Sequence, residues 1–313
     1  MSKTNRPLIL KKNYRTPGTH FVKEFTFSCG NKVPIFEIDN YHGLNQLLGH
    51  AKFNNRNYGN VYYRGECHLH ETLIPSLYRK IKNISKAGKR LNELVELIKT
   101  DSSLSNEFKL KNSRNSLKED KARIEGALQH YGIPTGFVDI VDNHWIALWM
   151  GLYKSRRIKK IKEYNYYEKR EIPLVDIANG CPCVEDELFQ YIILIAVPTF
   201  EMDNHDGVGI SDEIIEVDLR KALSSVFLRP HAQHGLVVKK VNHLGTLEGF
   251  DMATEVIGIL RIRIDKVALW LGSGELLSQN NLFPAPAFDT GYDILLSRND
   301  IFDQTDFQIV KYI

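Results

Sequence analysis

The chain has 313 residues, 43% of them hydrophobic and 25% charged, with a formal net charge of +3. A chain of this length and ordinary globular composition can bury a core without disulfide or metal staples. So small a charge excess does not by itself point to nucleic acid, and no run approaches the roughly 18 apolar residues of a membrane span.

The first residues, Met1 to Lys12, are polar and basic apart from Leu8-Ile9-Leu10, which is not the pattern of a secretory leader. Residues 1–34 read as an arm with a hairpin at Phe25–Val33 around Cys29-Gly30-Asn31. Ile38–Ala51 reads as a helix because Leu44, Leu47 and Leu48 repeat at i, i+3, i+4; the Asn54-Asn55-Arg56-Asn57 run then breaks it. Val61-Tyr62-Tyr63 is β-branched and aromatic, a strand that runs into Arg64-Gly65.

From Ser85 to Gly132 the periodicity is helical, with Leu91, Leu94, Val95 and Ile98 on one stripe and a polar loop over Lys109–Asp120. Ala122–His130 resumes the helix, and Gly132 followed by Pro134 ends it. Trp145–Tyr153 is a further apolar helix, whereas Phe189–Val197 (FQYIILIAV), Leu236–Val238 and Val256–Ile264 read as strands. The order predicts an α+β fold, with a helical N-terminal half and a mixed or antiparallel, strand-rich C-terminal half. No repeat or linker divides the chain, so one domain is expected: an arm over 1–37, a core over 38–296 and an extension over 297–313.

The four cysteines form no disulfide framework, and Cys181-Pro182-Cys183 lacks the two-residue spacer of a zinc or redox motif; a reduced, cytoplasmic protein is expected. His68 with His70, and His231 with His234, have no paired acids beside them, so no metal is expected. Basic residues cluster at Arg79–Arg90 and Lys154–Lys162, a pattern of solvated helix faces or of phosphate contacts.

Four motifs in fixed order resemble the FRG-domain family. They are Tyr63-Arg64-Gly65-Glu66 with Pro75-Ser76-Leu77-Tyr78-Arg79; Gln129-His130-Tyr131-Gly132-Ile133-Pro134-Thr135 continuing through Asp139 and Asn143; Arg229 with Ala232-Gln233-His234-Gly235; and Leu282-Phe283-Pro284. Glu66 stands where the family usually has Gln, and Gly136, Ile140 and Val141 replace its usual Arg and aromatic-Thr pair. The aromatic-Arg-Gly on a strand is similar to the first motif of ADP-ribosyltransferases, which implies a split sheet of that type and NAD⁺ as substrate.

The resemblance implies a cleft whose NAD⁺-binding residues are Tyr63, Arg64, Gly65, Gln129, His130, Tyr131, Thr135 and Asp139, with Arg64, His130 and Gln233 as the catalytic candidates. The chemistry of the residue types agrees. A guanidinium fork grips phosphate or carboxylate, a glycine admits close backbone approach, and histidine titrates near neutrality. Transfer from NAD⁺ also needs a carboxylate beside a developing cation; Glu66, Glu125, Glu185 and Glu187 are all open for that role. The bland readings are an ion pair for Arg64 and helix capping for Gln129, His130 and Asp139.

The implied function is an ADP-ribosyltransferase toxin of a bacterial toxin–antitoxin or phage-defence system. Its acceptor would be RNA, DNA or protein, and an inhibitory antitoxin would be its partner. A nucleotide- or RNA-binding module without catalysis, and a ribonuclease that does not use NAD⁺, are the alternatives.

Overall fold

The computed structural model describes residues 6–79, 83–113, 116–158, 164–172, 185–242, 245–305 and 307–312. The fold is α+β, as the element order predicts. Thirteen strands are present among the described residues: β1 (Thr19–Thr26), β2 (Lys32–Ile38), β3 (Asn60–Glu66), β4 (Val138–Val141), β5 (Tyr153–Ile158), β6 (Tyr164–Lys169), β7 (Phe189–Val197), β8 (Asp203–His205), β9 (Val208–Ile210), β10 (Ile214–Asp218), β11 (Gly235–Lys240), β12 (Val256–Arg263) and β13 (Lys311–Tyr312). Ten of them form one sheet in the order β1-β2-β12-β7-β3-β4-β11-β10-β9-β8; β13, β6 and β5 form a second, small sheet.

In the main sheet the β12–β2 pairing is parallel and the others are antiparallel. The segment read as an arm supplies β1 and β2, because Val33, Ile35, Phe36 and Ile38 bury their side chains on both faces of the sheet. The expected hairpin is there, and longer than its turn residues suggested. The main sheet therefore draws strands from both halves of the chain.

β7 is buried at every position, since it lies between β12 and β3 with both faces covered. That is why its sequence is a continuous apolar run rather than an alternation. Among the described residues five α-helices precede β5 in the chain: α1 (Tyr41–Asn55), α2 (Ile84–Thr100), α3 (Ser102–Glu107), α4 (Leu117–His130) and α5 (His144–Leu152). One core packs α1 and α5 on β3, β7 and β12; another packs α2 and α4 on β10 and β11. A third core, built on Tyr62, Ile193, Val238 and Ile259, covers the alternate side chains of the same strands.

The two halves of the main sheet meet at one point. β3 and β7 pair over seven residues, but β3 and β4 share a single residue pair, Tyr63 with Val141. On either side of that pair the strands diverge, and a twisted sheet that parts in this way opens a gap in its middle.

The Lys154–Lys162 cluster is not a helix. Lys154, Arg156 and Arg157 lie on β5, where tyrosines of the facing β6 and the aromatic packing of Tyr153 favour a strand. Residues 159–162 of that cluster, like Cys181-Pro182-Cys183, lie outside the described residues.

Candidate active site

A cleft of about 350 Å³ opens where β3 and β4 part, between α4 and α5 and beside the small sheet. It brings together Tyr63, Arg64, Gly65, Gln129, His130, Asp139 and Gln233 of the residues singled out in the sequence. Its volume lies at the small end of the range for ligand pockets.

One wall is polar and comes from the first two motifs. Arg64 Nε donates to Glu66 Oε1 at 2.6 Å, and its Nη1 donates to the Asp139 carbonyl at 2.8 Å. Both Arg64 and Glu66 are more than four-fifths buried. Burial works against the Arg64 charge, but Glu66 and Asp139 more than offset it and hold the guanidinium firmly protonated.

The end of α4 explains the second motif. Gly132 has φ +88°, Gly132 N–H donates to Gln129 O at 3.0 Å, and Ile133 N–H donates to Leu128 O at 3.0 Å, which is a Schellman ending. This turn fixes Gln129 and His130 on the last helical turn, facing β4. Gln129 Nε2 donates to Asp139 Oδ2 at 2.7 Å, and His130 Nδ1 donates to Asp139 Oδ1 at 3.2 Å. Burial pushes the Asp139 carboxyl up, yet the bonds from His130 and Gln129 and the charge of Arg64 outweigh it and hold the group below its ordinary value. Asp139 is thus an ionised part of the site, not a helix cap; Asn143 caps α5 instead.

Several expectations need correction. Tyr131 is fully buried outside the cleft: its hydroxyl donates to Asp289 at 2.8 Å and its ring packs near Tyr292 and Phe227, so it cannot stack on a ligand. Thr135 is also fully buried; its hydroxyl donates to Gln129 Oε1 at 2.8 Å and accepts from Phe137 N–H, so it steers Gln129 from behind. Gly65 owes its identity to packing. A Cβ there would stand 1.8 Å from the Ala147 carbonyl of α5, so the glycine admits a helix and not a ligand.

His130 lines the cleft, but Nδ1 is committed to Asp139 and Nε2 is buried without a partner among the described residues. A Cβ on Gly235 would lie 2.1 Å from that Nε2. Neither nitrogen is presented to a substrate, and the ring's task is to orient Asp139. Gln233 likewise spends its amide: Nε2 donates to the Leu282 carbonyl at 2.6 Å, tying the third motif to the fourth.

Among the four carboxylates considered, Glu66 lines the cleft. Glu125 is buried elsewhere against Lys239 at 2.6 Å. Glu187 is exposed on the short Glu185–Leu188 helix and does not line the cleft, and the Glu185 side chain lies outside the described residues.

The opposite wall is aromatic and was not foreseen. Tyr153, Tyr167, Phe283 and Tyr312 all face the cleft. Tyr167 stacks on Phe283 at 4.3 Å between centroids, Phe283 lies 5.0 Å from Tyr312, and Trp149 stacks behind Tyr153 at 4.3 Å. Burial raises the Tyr167 and Tyr312 phenols above their ordinary value, so both remain neutral donors. Arg229 backs this wall. It is fully buried, with its guanidinium 4.5 Å from the Tyr312 ring, 4.6 Å from Tyr131 and 4.7 Å from Tyr292, and Nη1 donates to the His130 carbonyl at 3.0 Å.

His68 and His70 also reach the cleft, but no group of three His, Cys, Asp or Glu side chains capable of holding a metal occurs among the described residues. Among the described residues no helix is long and apolar enough to cross a membrane.

The FRG domain family model matches residues 59–160, which carry β3, α4, β4 and α5 and thus the whole polar wall. None of the curated proteins compared matches the chain, and neither does any solved structure.

Proposed function

We propose that this chain, which carries an FRG domain, is an NAD⁺-dependent ADP-ribosyltransferase whose cleft takes the nicotinamide-ribose end of the dinucleotide. One observation carries the reading: Glu66, Asp139 and the four rings of the aromatic wall converge on a single cleft, and Arg64, its one permanent cation among the described residues, is already paired. Such a lining suits a cation. The nicotinamide ring of NAD⁺ is one, and the oxocarbenium-like ribose formed as it leaves is another. Carboxylates and ring faces both stabilise positive charge in an enclosed site.

In the reaction the C1′–N bond breaks and its electron pair neutralises the nicotinamide nitrogen. The acceptor's nucleophile forms the new bond to C1′, and its proton passes to Glu66. Arg64 acts as a positioning residue that holds Glu66 at the cleft, which revises its expected role as a phosphate anchor. Gln129 and His130 hold Asp139 ionised beside it. The near-parting of the main sheet between β3 and β4 supports the split-sheet likeness to ADP-ribosyltransferases.

The setting in which we place this activity is a bacterial toxin–antitoxin or phage-defence pair in a reducing cytoplasm. RNA is the favoured acceptor over DNA or protein, and an antitoxin protein restrains the enzyme. The test is incubation of purified protein with adenylate-labelled NAD⁺ and total RNA, DNA and protein. Label entering a macromolecule, with nicotinamide released in equal amount, is the expected result. No transfer to any acceptor, together with undiminished toxicity of Arg64→Ala, contradicts the proposal.

The mutual saturation of Arg64, Glu66, Gln129 and Asp139 favours a second reading, a module that binds a nucleotide and leaves it whole. Calorimetric binding of NAD⁺ without nicotinamide release selects that reading. The NAD-independent ribonuclease has less support, because His130 commits Nδ1 to Asp139 and buries Nε2 against Gly235, away from a substrate.

A further inference from the structure

The parting of β3 from β4 opens a second cavity, of about 440 Å³, on the other side of the Tyr63–Val141 pair. Its wall on β3 begins at Tyr62, two residues or about 7 Å along the strand from Arg64. The charge here is opposite to that of the first cleft. Lys52, Arg56, Arg220 and Lys221 line it against Asp142 and Asp218, a surplus of two positive charges.

The two carboxylates are already engaged. Arg220 Nε lies 2.9 Å from Asp218 and its Nη2 lies 2.8 Å from Asp142, while Lys221 Nζ lies 3.2 Å from Asp218. Lys52 and Arg56, both exposed near the end of α1, meet no carboxylate among the described residues. The Lys52 ammonium sits 5.0 Å over the Tyr63 ring, and the Arg56 guanidinium sits 3.9 Å over the Phe53 ring. Phe200, 63% exposed, completes the lining.

We infer that this cavity binds the phosphates of a single-stranded polynucleotide, with Lys52 and Arg56 neutralising the backbone and Phe200 offering a face for a base. Uncompensated cations beside an exposed ring in an open groove are the means by which proteins track single strands without reading sequence. The inference rests on the proposed transferase reading for its purpose, since it places a nucleic-acid acceptor next to the NAD⁺ cleft. Its test does not depend on catalysis.

Binding of a fluorescein-labelled oligouridine is measured by anisotropy across a salt series, for the full chain and for Lys52→Gln/Arg56→Gln. The double variant is expected to bind at least about tenfold more weakly and to lose about 1.4 from the slope of log affinity against log salt, the share of two phosphates on a single strand. Phe200→Ala is expected to weaken binding with the slope unchanged, a separation that misfolding would not produce. Lys154→Gln/Arg156→Gln, on β5 and away from this cavity, serves as the basic-cluster control and should bind as the parent does.

Unchanged affinity and slope in Lys52→Gln/Arg56→Gln overturn the inference. So does loss of NAD⁺ binding by calorimetry with oligonucleotide binding intact, which would make the cavity a pyrophosphate site. Nicotinamide release from NAD⁺ in the presence of total RNA, DNA and protein separates the two proposals. If the parent chain releases no nicotinamide, the transferase reading fails while the oligonucleotide result stands on its own.

Discussion

The two walls of the cleft are built in opposite ways. The polar wall comes from two segments, Arg64–Glu66 and Gln129–Asp139, and its side chains are tied to one another: Arg64 to Glu66, and Gln129 and His130 to Asp139. The aromatic wall is gathered from the paired strands β5 and β6, which carry Tyr153 and Tyr167, and from Phe283 and Tyr312, and is held by ring contacts over a buried arginine. The first wall is held in place by hydrogen bonds among its own side chains; the second presents neutral surface. The contrast suggests a division of labour in which the polar wall performs chemistry and the aromatic wall binds.

The largest effect that sharpens this contrast is expected at Glu66. Glu66→Gln keeps the size of the side chain and removes its charge, so nicotinamide release should fall by about 10² to 10³ with NAD⁺ affinity nearly unchanged. A single-turnover assay paired with calorimetry reads both quantities. An equal loss in affinity and rate would assign binding, not chemistry, to the polar wall.

Arg64→Ala is next, and its effect is on folding as well. It strands the mostly buried Glu66 carboxylate, and denaturant unfolding should show a loss of about 3 kcal/mol. Tyr312→Leu should instead leave stability and turnover largely intact and raise the KM for NAD⁺ by about tenfold, the worth of one ring face toward a cation or base. If turnover falls and KM does not, the division between the walls is wrong.

Tyr131→Phe tests the boundary of the site. Asp289 would keep the Leu228, Arg229 and Tyr292 N–H donors, so the loss of the phenol bond should cost about 1 kcal/mol and leave KM unchanged. The smallest expected effect is in acid. The Asp139 carboxyl is held below its ordinary value of 3.8 in the folded chain. Its contribution to stability is therefore complete above that pH and is lost as pH falls through the lowered value. Asp139→Asn should flatten this acid limb in a series of urea unfolding curves taken below pH 4 and leave the neutral-pH shape alone.

The same contrast explains what could be read in the sequence. Strands such as β7 and helices such as α2 announce themselves through local periodicity, and the Gly132–Pro134 ending placed Gln129 and His130 on a helix end. Local spacing could not tell which side of that turn faces ligand. Tyr131 and Thr135 belong to the same motif but point into the core: Tyr131 stands one residue, about 100° of helix rotation, beyond His130, and Thr135 lies past the turn with its hydroxyl bonded back to Gln129. Strand β5 (Tyr153–Ile158) was hidden by its charges, since an exposed strand has no apolar stripe to reveal it. The aromatic wall was not legible at all. Tyr167 and Tyr312 lie far apart in the chain, and only the parallel pairing of β13 with β6 brings them together.

The central claim is that the nicotinamide-ribose end of NAD⁺ lies between these walls. A crystal structure with a non-hydrolysable NAD⁺ analogue tests it most directly. The ring should lie against Tyr167, Phe283 and Tyr312, with C1′ facing the Glu66 carboxylate across the cleft. A ring bound outside this cleft, or a phosphate displacing Glu66 from Arg64, would contradict the account.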